Sequence, residues 1–229
     1  LARGQVLALL MRNSLAFKVY QDRLLNEDSL TGLPNQHVFA EQLQSVLARA
    51  KGENSALAVL HIGLDRFKQI NDSLGHSAGD RLLKAVAQRL RPGVRRSDTV
   101  LLSRLDGDTF GLVMPQIEST AVAESMARRI LAAMSLPFSI AGLDLFVTPS
   151  IGISVYPGDG SDDATLRRNA VAAMAHAKSS GRNTFEFYSS ALKSGSLESL
   201  SLETQLRHAI ARNELVLHYQ PKIDLATGR

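Results

Sequence analysis

A polar turn that carries two carboxylates separates two apolar runs near the middle of the chain. The turn reads Asp106-Gly107-Asp108-Thr109-Phe110. Asp-Gly between strand-like runs predicts a β-hairpin. A carboxylate at such a tip is exposed on a rigid scaffold, where it can meet a metal ion or a phosphate. Most turns of this kind only reverse the chain, so a chemical role here depends on the other motifs.

Four further segments stand at defined distances from this turn. In chain order they are Asp28-Ser29-Leu30-Thr31-Gly32-Leu33-Pro34-Asn35, Leu64-Asp65-Arg66-Phe67-Lys68-Gln69-Ile70-Asn71-Asp72 with Gly79-Asp80 after it, Ser150-Ile151-Gly152-Ile153-Ser154, and Ala177-Lys178 with Gly181-Arg182-Asn183. In this order and at these spacings, the set resembles the GGDEF family, the diguanylate cyclase domains that join two GTP molecules into cyclic di-GMP. The resemblance runs from about Asp28 to Tyr188 and implies a palm-like nucleotide-cyclase fold.

The resemblance also implies a metal site, and this chain departs from it. Attack of a 3′-hydroxyl on an α-phosphate requires neutralisation of the triphosphate, usually by two Mg²⁺ held by carboxylates. In the family these ions lie between a strand-end Asp, the carbonyl after it, and the third and fourth letters of the turn. The matching positions here are Gly63, the carbonyl of Leu64, Asp108 and Thr109. Two of three carboxylates are therefore missing, and Asp108 is the remnant of the catalytic set.

Two neighbouring carboxylates could stand in for the lost ones. Asp106 replaces a Gly of the family, and its volume and charge should repel a triphosphate. Asp65 is expected to cap the helix that follows it instead. Loss of two metal ligands should make turnover negligible.

The nucleotide-binding part of the family pattern is better preserved. Asn71 and Asp80 match the pair that reads the guanine edge, where an amide and a carboxylate can satisfy the donors and the acceptor of the base. Leu30 and Leu83 match positions that line the purine pocket, and an ordinary core role is the alternative. Phosphates are expected at the start of the helix after Leu64, where free N–H groups and the helix dipole favour an anion. The family's phosphate contacts match Phe67, Lys68, Lys178 and Arg182.

An inhibitory product site is common in the family, as an RxxD motif five residues before the turn. Arg95 and Asp98 have the right letters, but seven residues separate Asp98 from Asp106, two more than the family pattern has. Two extra residues shift the motif by about 7 Å along a strand. A working inhibitory site at Arg95 and Asp98 is therefore doubtful.

Composition limits the kinds of binding site and the class of protein that this chain can represent. The 229 residues carry a net charge of +4 and 45% apolar residues, with no cysteine. Any metal must therefore be bound by oxygen or imidazole ligands. His61, His76 and His176 are too scattered in the sequence for a metal cluster, so we expect structural histidines whose ring nitrogens have hydrogen-bond partners. The basic residues lack interleaved aromatics, which argues against nucleic acid binding. No run is long enough for a membrane span and no secretory signal is visible, which favours the cytoplasm, with attachment to the inner membrane through an upstream region left open.

The elements that position these residues alternate between helix and strand. Periodicity predicts helices over 36–50, from 65, over 78–90, 120–134 and 164–179, and strands over 57–64, 99–104, 110–114, 138–140, 143–148, 151–156 and 184–187. We expect an α/β (α+β) sandwich with a mixed central sheet and helices on both faces. Residues 1–27 are predicted to form a flanking signalling helix.

The composition changes after the GGDEF-like domain, which is expected to span 28–188. Residues 189–212 are expected to form a linker and a helix. Glu214-Leu215-Val216-Leu217-His218-Tyr219-Gln220-Pro221-Lys222 resembles the opening strand of an EAL domain, the cyclic di-GMP phosphodiesterase fold, here truncated over 213–229. The resemblance implies a tandem GGDEF-EAL signalling protein.

Three functions stay open on sequence alone. The first is a degenerate GGDEF domain without cyclase activity that binds GTP or GDP and regulates or dimerises its own EAL domain, downstream of a sensor domain. The second is an active diguanylate cyclase with a variant metal site. The third is a structural spacer that binds no nucleotide. Mg²⁺ or Mn²⁺ is expected only together with a bound nucleotide.

Overall fold

The computed structural model describes residues 25–94 and 100–190, and six isolated positions at 205, 208, 209, 212, 214 and 216. The chain divides into two units, Leu1–Ser189 and Ser190–Arg229, and the fold below belongs to the first. Most of the predicted helix 1–27, the Arg95 to Asp98 motif, and most of the linker helix and the EAL-like strand lie outside the described residues.

The described part of the first unit alternates helices with strands. In chain order the elements are α1 (Gln36–Glu53), β1 (Ala56–Leu64), α2 (Phe67–Leu74), α3 (His76–Val94), β2 (Leu101–Asp106), β3 (Thr109–Ile117), α4 (Thr120–Met134), β4 (Phe138–Ile140), β5 (Leu143–Leu145), β6 (Pro149–Tyr156), α5 (Asp163–Ser179) and β7 (Phe185–Phe187). None of the described helices is both long and apolar enough to cross a membrane.

Five strands form one mixed sheet in the order β2-β3-β1-β6-β7. Strand β1 pairs antiparallel with both β3 and β6, whereas β6 and β7 are parallel. Strands β4 and β5 form a separate hairpin. Because β1 lies at the centre, every residue from Leu57 to Leu64 is buried, as its continuous apolar run predicts.

Two hydrophobic clusters cover the two faces of this sheet. The larger contains residues of α3 and α4, including Leu82, Val86 and Ile130. The smaller contains residues of α1 and α5, including Phe39 and Leu166. The predicted fold class, an α/β sandwich with helices on both faces of a mixed sheet, is confirmed.

Local signals explain where several elements begin and end. Asn35 caps α1, since its side-chain oxygen accepts a hydrogen bond from the N–H of Val38 at 3.1 Å. Residues Phe39, Leu43 and Leu47 lie four apart and are all buried. The strand predicted over 143–148 is too long, because pairing with β4 ends at Leu145.

His61 differs from its expected role as a satisfied structural histidine. It is 6% exposed in the middle of β1 and packs edge-on against Phe39, with ring centroids 6.0 Å apart. Neither ring nitrogen has a hydrogen-bond partner among the described residues, so the expectation of a satisfied side chain is wrong. Burial, with a smaller contribution from the Arg167 charge, lowers the pKa of His61 to about 4, which keeps the ring neutral near pH 7. His176, unlike His61, has a charged neighbour, since its Nδ1 atom lies 3.8 Å from Glu186 Oε1.

Candidate functional site

The end of β1 and the polar turn meet at one edge of the sheet. Gly63 lies opposite Thr109 on one side and opposite Ser150 on the other. The N–H of Leu64 donates to the carbonyl of Asp108 at 3.2 Å. The four positions that the family resemblance assigns to the metals therefore come together, with glycine and threonine facing each other where two carboxylates were expected.

Lys178 fills the space above Gly63. A Cβ atom at position 63 would lie 2.8 Å from the ammonium nitrogen of Lys178 and 2.9 Å from the sulfur of Met174. The same ammonium lies 3.9 Å from Asp108 Oδ2, and both side chains are 32% exposed. A lysine thus supplies the positive charge beside the remaining carboxylate.

The close approach of α5 to the sheet positions this lysine. A Cβ atom at Gly152 would lie 2.0 Å from the carbonyl oxygen of Ala170 and 2.2 Å from the nitrogen of Met174. Both are backbone atoms of α5, so only glycine at position 152 lets the helix pack this tightly on β6. Lys178 follows Met174 by one helical turn and therefore reaches the end of β1.

Asp65 does not cap the helix that follows it. Its carboxylate is 6% exposed and accepts hydrogen bonds from Thr148 Oγ1 and Ser150 Oγ, both at 2.7 Å, and from the N–H of Asn183 at 3.1 Å. The residue before α2 is Arg66, in the left-handed conformation and without a side-chain cap. The capping prediction is wrong because Thr148, Ser150 and the loop after α5 hold the carboxylate. The same bonds leave Asp65 poorly placed to replace a lost metal ligand.

An ion pair that sequence reasoning missed holds the turn in place. Arg104 donates to both carboxylate oxygens of Asp28 at 3.0 Å and to the carbonyl of Gly107 at 2.9 Å. Burial would raise the pKa of Asp28, but hydrogen bonds from Thr31 and Arg104 outweigh it and lower the pKa below its usual value of 3.8. Asp106, in contrast, is exposed. The signal was available in the sequence, since Arg104 lies two residues before the turn and Asp28 opens the first motif.

The junction of α2 and α3 contains an unpaired amide. Asn71 Oδ1 is buried and has no hydrogen-bond partner among the described residues. A Cβ atom at Gly79 would lie 1.9 Å from this oxygen and 3.1 Å from Phe67 Cζ. Because a buried unpaired acceptor costs about 1–3 kcal/mol, a partner is expected when the site is filled. Glycine at position 79 makes room for the amide.

The other residues of the predicted purine site lie around this junction. Asp80 follows Gly79 directly and is exposed. Leu83 is 2% exposed in the larger hydrophobic cluster, and Leu30 packs against that cluster. Contact of a base with either leucine stays a prediction.

The predicted phosphate contacts come from α2, from α5 and from the loop after α5. Lys68 is exposed in the first turn of α2, whose N-terminus lacks a side-chain cap. Arg182, with φ of 64°, lines a groove of about 570 Å³ between α2 and the β4–β5 hairpin, together with Arg66. The groove also contains Gln69, Ile70 and Ser73, a face of α2 different from the one that holds Phe67 and Asn71. Among these cations, the structure shows only Lys178 in contact with Asp108.

The residues at the sheet edge do not fit a divalent metal. Mg²⁺ prefers six oxygen ligands in near-octahedral geometry and is usually held by carboxylates plus substrate phosphates. Within the described ranges, no group of three or more His, Cys, Asp or Glu side chains could hold a metal ion. Asp108 is the remaining carboxylate of the three assigned positions, and the Lys178 ammonium occupies the space beside it.

Comparison with known proteins identifies the class. A family model described as diguanylate cyclase, GGDEF domain, matches residues 25–184. The chain belongs to the GGDEF family. Domains of this family bind GTP, often dimerise and are generally Mg²⁺-dependent.

The relatives act in cyclic di-GMP signalling. The chain is 41% identical over 206 residues to the bifunctional diguanylate cyclase/cyclic di-GMP phosphodiesterase MucR of Pseudomonas aeruginosa, covering 90% of this chain and 30% of MucR. It is 40% identical over 205 residues to the cyclic di-GMP phosphodiesterase NbdA of the same species, covering 88% and 25%. The solved GGDEF domain of TpbB (YfiN) from that species matches with a TM-score of 0.68 and 38% identity, covering 71% of this chain and 94% of that one. The chain thus spans less than a third of the length of these curated relatives.

Proposed function

We propose that this chain is a degenerate GGDEF domain that binds GTP or GDP without converting it to cyclic di-GMP. It would act as a regulatory or dimerising module in a tandem GGDEF-EAL signalling protein. The observation that carries the proposal is the Gly63 and Thr109 pair at the sheet edge, with Lys178 above Gly63.

Loss of the cyclase reaction follows from the charge at that edge. Two GTP molecules react only when the triphosphate charge is neutralised and the pyrophosphate leaving group is stabilised, for which two metal ions are the usual means. One carboxylate, already paired with a lysine, is a poor ligand set for two such ions. Nucleotide binding without reaction does not require two metal ions, because one cation and a helix N-terminus can hold a phosphate group.

Nucleotide binding is supported at the other part of the site. The unpaired Asn71 oxygen and the neighbouring Asp80 are the groups that the family resemblance assigns to guanine. An amide and a carboxylate can together satisfy the acceptor and the N–H donors of that base. Asn71 lies in a space that Gly79 keeps free.

The tandem arrangement rests on the relatives and on the end of the chain. Both curated relatives described above are named as phosphodiesterases, and MucR is also named as a cyclase. The segment from Glu214 to Lys222 carries the EAL-like sequence. We infer that a phosphodiesterase domain follows and that the GGDEF domain, with a sensor upstream, tunes it.

The test is product formation. Concentrated protein is incubated overnight with GTP and either Mg²⁺ or Mn²⁺, and the mixture is separated by chromatography for pppGpG and cyclic di-GMP. No product above a no-protein control is expected from a folded sample. Cyclic di-GMP above that control would instead favour an active cyclase with a variant metal site.

A double substitution sharpens the same test. Gly63→Asp with Thr109→Glu restores the two missing carboxylates at facing positions of β1 and β3. The Lys178 side chain is flexible at its end and can move to admit the new Cβ atom. A gain of product in this variant supports the metal-site assignment, whereas its continued inactivity with intact fold would count against it.

A further inference from the structure

The place of the metal ion is the feature in which this domain differs most from the family expectation. GGDEF domains are generally Mg²⁺-dependent, yet the residues at this edge do not fit Mg²⁺. The question is what neutralises the phosphates of a bound nucleotide when the ion has no ligand set. The candidates are the cationic groups of the chain itself.

Lys178 has the position and the surroundings for that role. Its ammonium nitrogen lies 2.8 Å from the place that a Cβ atom of residue 63 would take. An aspartate at position 63 would therefore have to displace this ammonium to reach the edge. Glycine at position 63 leaves this space to the lysine, which the family resemblance assigns to the phosphates.

The charges at the sheet edge also favour a phosphate-binding role for Lys178. Lys178 is paired with Asp108 at 3.9 Å, which is longer than a good charge-assisted hydrogen bond of about 2.7–2.9 Å. The ammonium therefore keeps donors available for a phosphate oxygen. A lysine binds phosphate as a compact point charge without an octahedral ligand set. The close packing of α5 on β6 fixes the backbone from which this lysine extends.

We propose that the Lys178 ammonium takes the place of the divalent cation, so that this domain binds guanine nucleotides without Mg²⁺. This inference rests on the proposed nucleotide binding and adds to it the identity of the cation. One consequence is that nucleotide occupancy follows the GTP and GDP concentrations and is independent of free Mg²⁺. Another is that Gly63 determines metal independence, because a carboxylate there would repel the phosphates unless a metal ion screened it.

The experiment measures the affinity for GTP and for GDP by isothermal titration calorimetry, in excess Mg²⁺ and in excess EDTA. For the unchanged chain we expect dissociation constants within about threefold of each other in the two buffers. Lys178→Met should weaken binding by at least about tenfold in both buffers, because the phosphates lose their cation. Lys51→Met, in the last turn of α1 and exposed, is the matched control and should bind as the unchanged chain does.

Gly63→Asp gives a second and independent arm. Binding should weaken in EDTA and recover in Mg²⁺, since the new carboxylate adds a negative charge that only a metal ion can offset. Circular dichroism checks that each variant is folded. A gain of metal dependence in this variant cannot come from unfolding, because the same protein binds in the other buffer.

The possible failures are distinguishable. Binding that needs Mg²⁺ in the unchanged chain overturns the role of Lys178 and leaves nucleotide binding intact. Binding equal in both buffers but unaffected by Lys178→Met also overturns it. If the folded chain binds neither nucleotide in either buffer, the proposed function fails and this inference fails with it.

Discussion

The two parts of the candidate site differ in how the chain fills them. At the sheet edge, the space beside Gly63 is occupied by Lys178 and Met174, and the charge of Asp108 is paired within the protein. At the junction of α2 and α3, the space beside Gly79 holds the Asn71 amide, whose oxygen is unpaired. At the sheet edge, the Asp108 charge is paired with a lysine of the same chain. At the α2–α3 junction, the Asn71 oxygen has no hydrogen-bond partner among the described residues.

On the proposed function, the site would be lost in its metal-binding part and kept in its guanine-binding part. The register of β1 against β3 keeps positions 63 and 109 opposite each other. The positive charge beside Asp108 comes from Lys178 of α5, at 3.9 Å. An unpaired buried acceptor, in contrast, costs stability, and a ligand that bonds to it would repay that cost.

The substitution with the largest expected effect is Gly152→Ala, which should disturb the packing of α5 on β6 and with it the position of Lys178 at the sheet edge. Its Cβ atom would lie 2.0 Å from the Ala170 oxygen and 2.2 Å from the Met174 nitrogen, and backbone atoms of a packed helix cannot yield easily. Overpacking of this kind should lower the free energy of unfolding by about 3 kcal/mol. Urea denaturation measures this change in the free energy of unfolding. Lys178 should also lose its position, so nucleotide affinity should fall.

Gly158→Ala is the control for that substitution. Its nearest contact would be the carbonyl oxygen of Val155 at an ordinary 3.9 Å. The stability of this variant should match that of the unchanged chain within about 0.5 kcal/mol. Equal stabilities of Gly152→Ala and Gly158→Ala would mean that α5 can move off the sheet freely, and the fixed position of Lys178 would lose its support.

A smaller effect, restricted to the α2–α3 junction, is expected from Gly79→Ala. The new Cβ atom would overlap Asn71 Oδ1 and force the amide to turn. GTP affinity should fall by about tenfold, which equals about 1.4 kcal/mol. Stability should change little, because alanine gains about 1 kcal/mol of helix propensity against the new strain. Calorimetric titration and urea denaturation of the same sample separate the two effects.

Gly52→Ala is the matched helical control, since nothing lies within 4 Å of its Cβ position in α1. It should raise stability slightly and leave affinity unchanged. If Gly79→Ala also binds GTP with unchanged affinity, Asn71 is not a nucleotide contact, and the difference between the two parts of the site would disappear.

The fold was largely predictable, whereas the absence of metal-binding carboxylates stays a prediction from the motif alignment. The helix at Thr120–Met134 and the strand at Phe138–Ile140 have the predicted bounds, because apolar periodicity and turn residues mark their ends. Gly63 and Thr109 could be read directly from their positions in the motifs. Their placement opposite each other comes from the register of β1 against β3, two strands that are distant in the chain.

The contacts between distant segments were not predictable. Asp65 precedes a helix and looks like a cap, yet its partners lie 83, 85 and 118 residues away. His61 looks like a residue with polar partners, yet the sheet buries it against Phe39. Local patterns report on neighbours in the chain, and these two residues are determined by strands and loops that only the folded sheet brings near.

The smallest expected effect concerns Asp28, which anchors the turn at the sheet edge but touches no residue of the α2–α3 junction in the contacts described. Asp28→Asn keeps the shape of the side chain and removes its charge, so the pairing with Arg104 weakens. The free energy of unfolding should fall by about 1 kcal/mol at pH 7, a modest loss because the pair is partly solvated. Nucleotide affinity should change less than threefold, about 0.6 kcal/mol.

The pH dependence tests the cause of that loss. Because the folded pKa of Asp28 is lowered from 3.8, its contribution is complete above the unfolded pKa and disappears as the pH falls through 3.8 to the folded value. The stabilities of the unchanged chain and Asp28→Asn should therefore converge in acid, with Asp144→Asn, an exposed change in β5, as the control. A difference that persists undiminished at low pH would attribute the loss to hydrogen-bond geometry instead of charge. The turn would then be held by shape, and the ionic state of the sheet edge would rest on Lys178 and Asp108 alone.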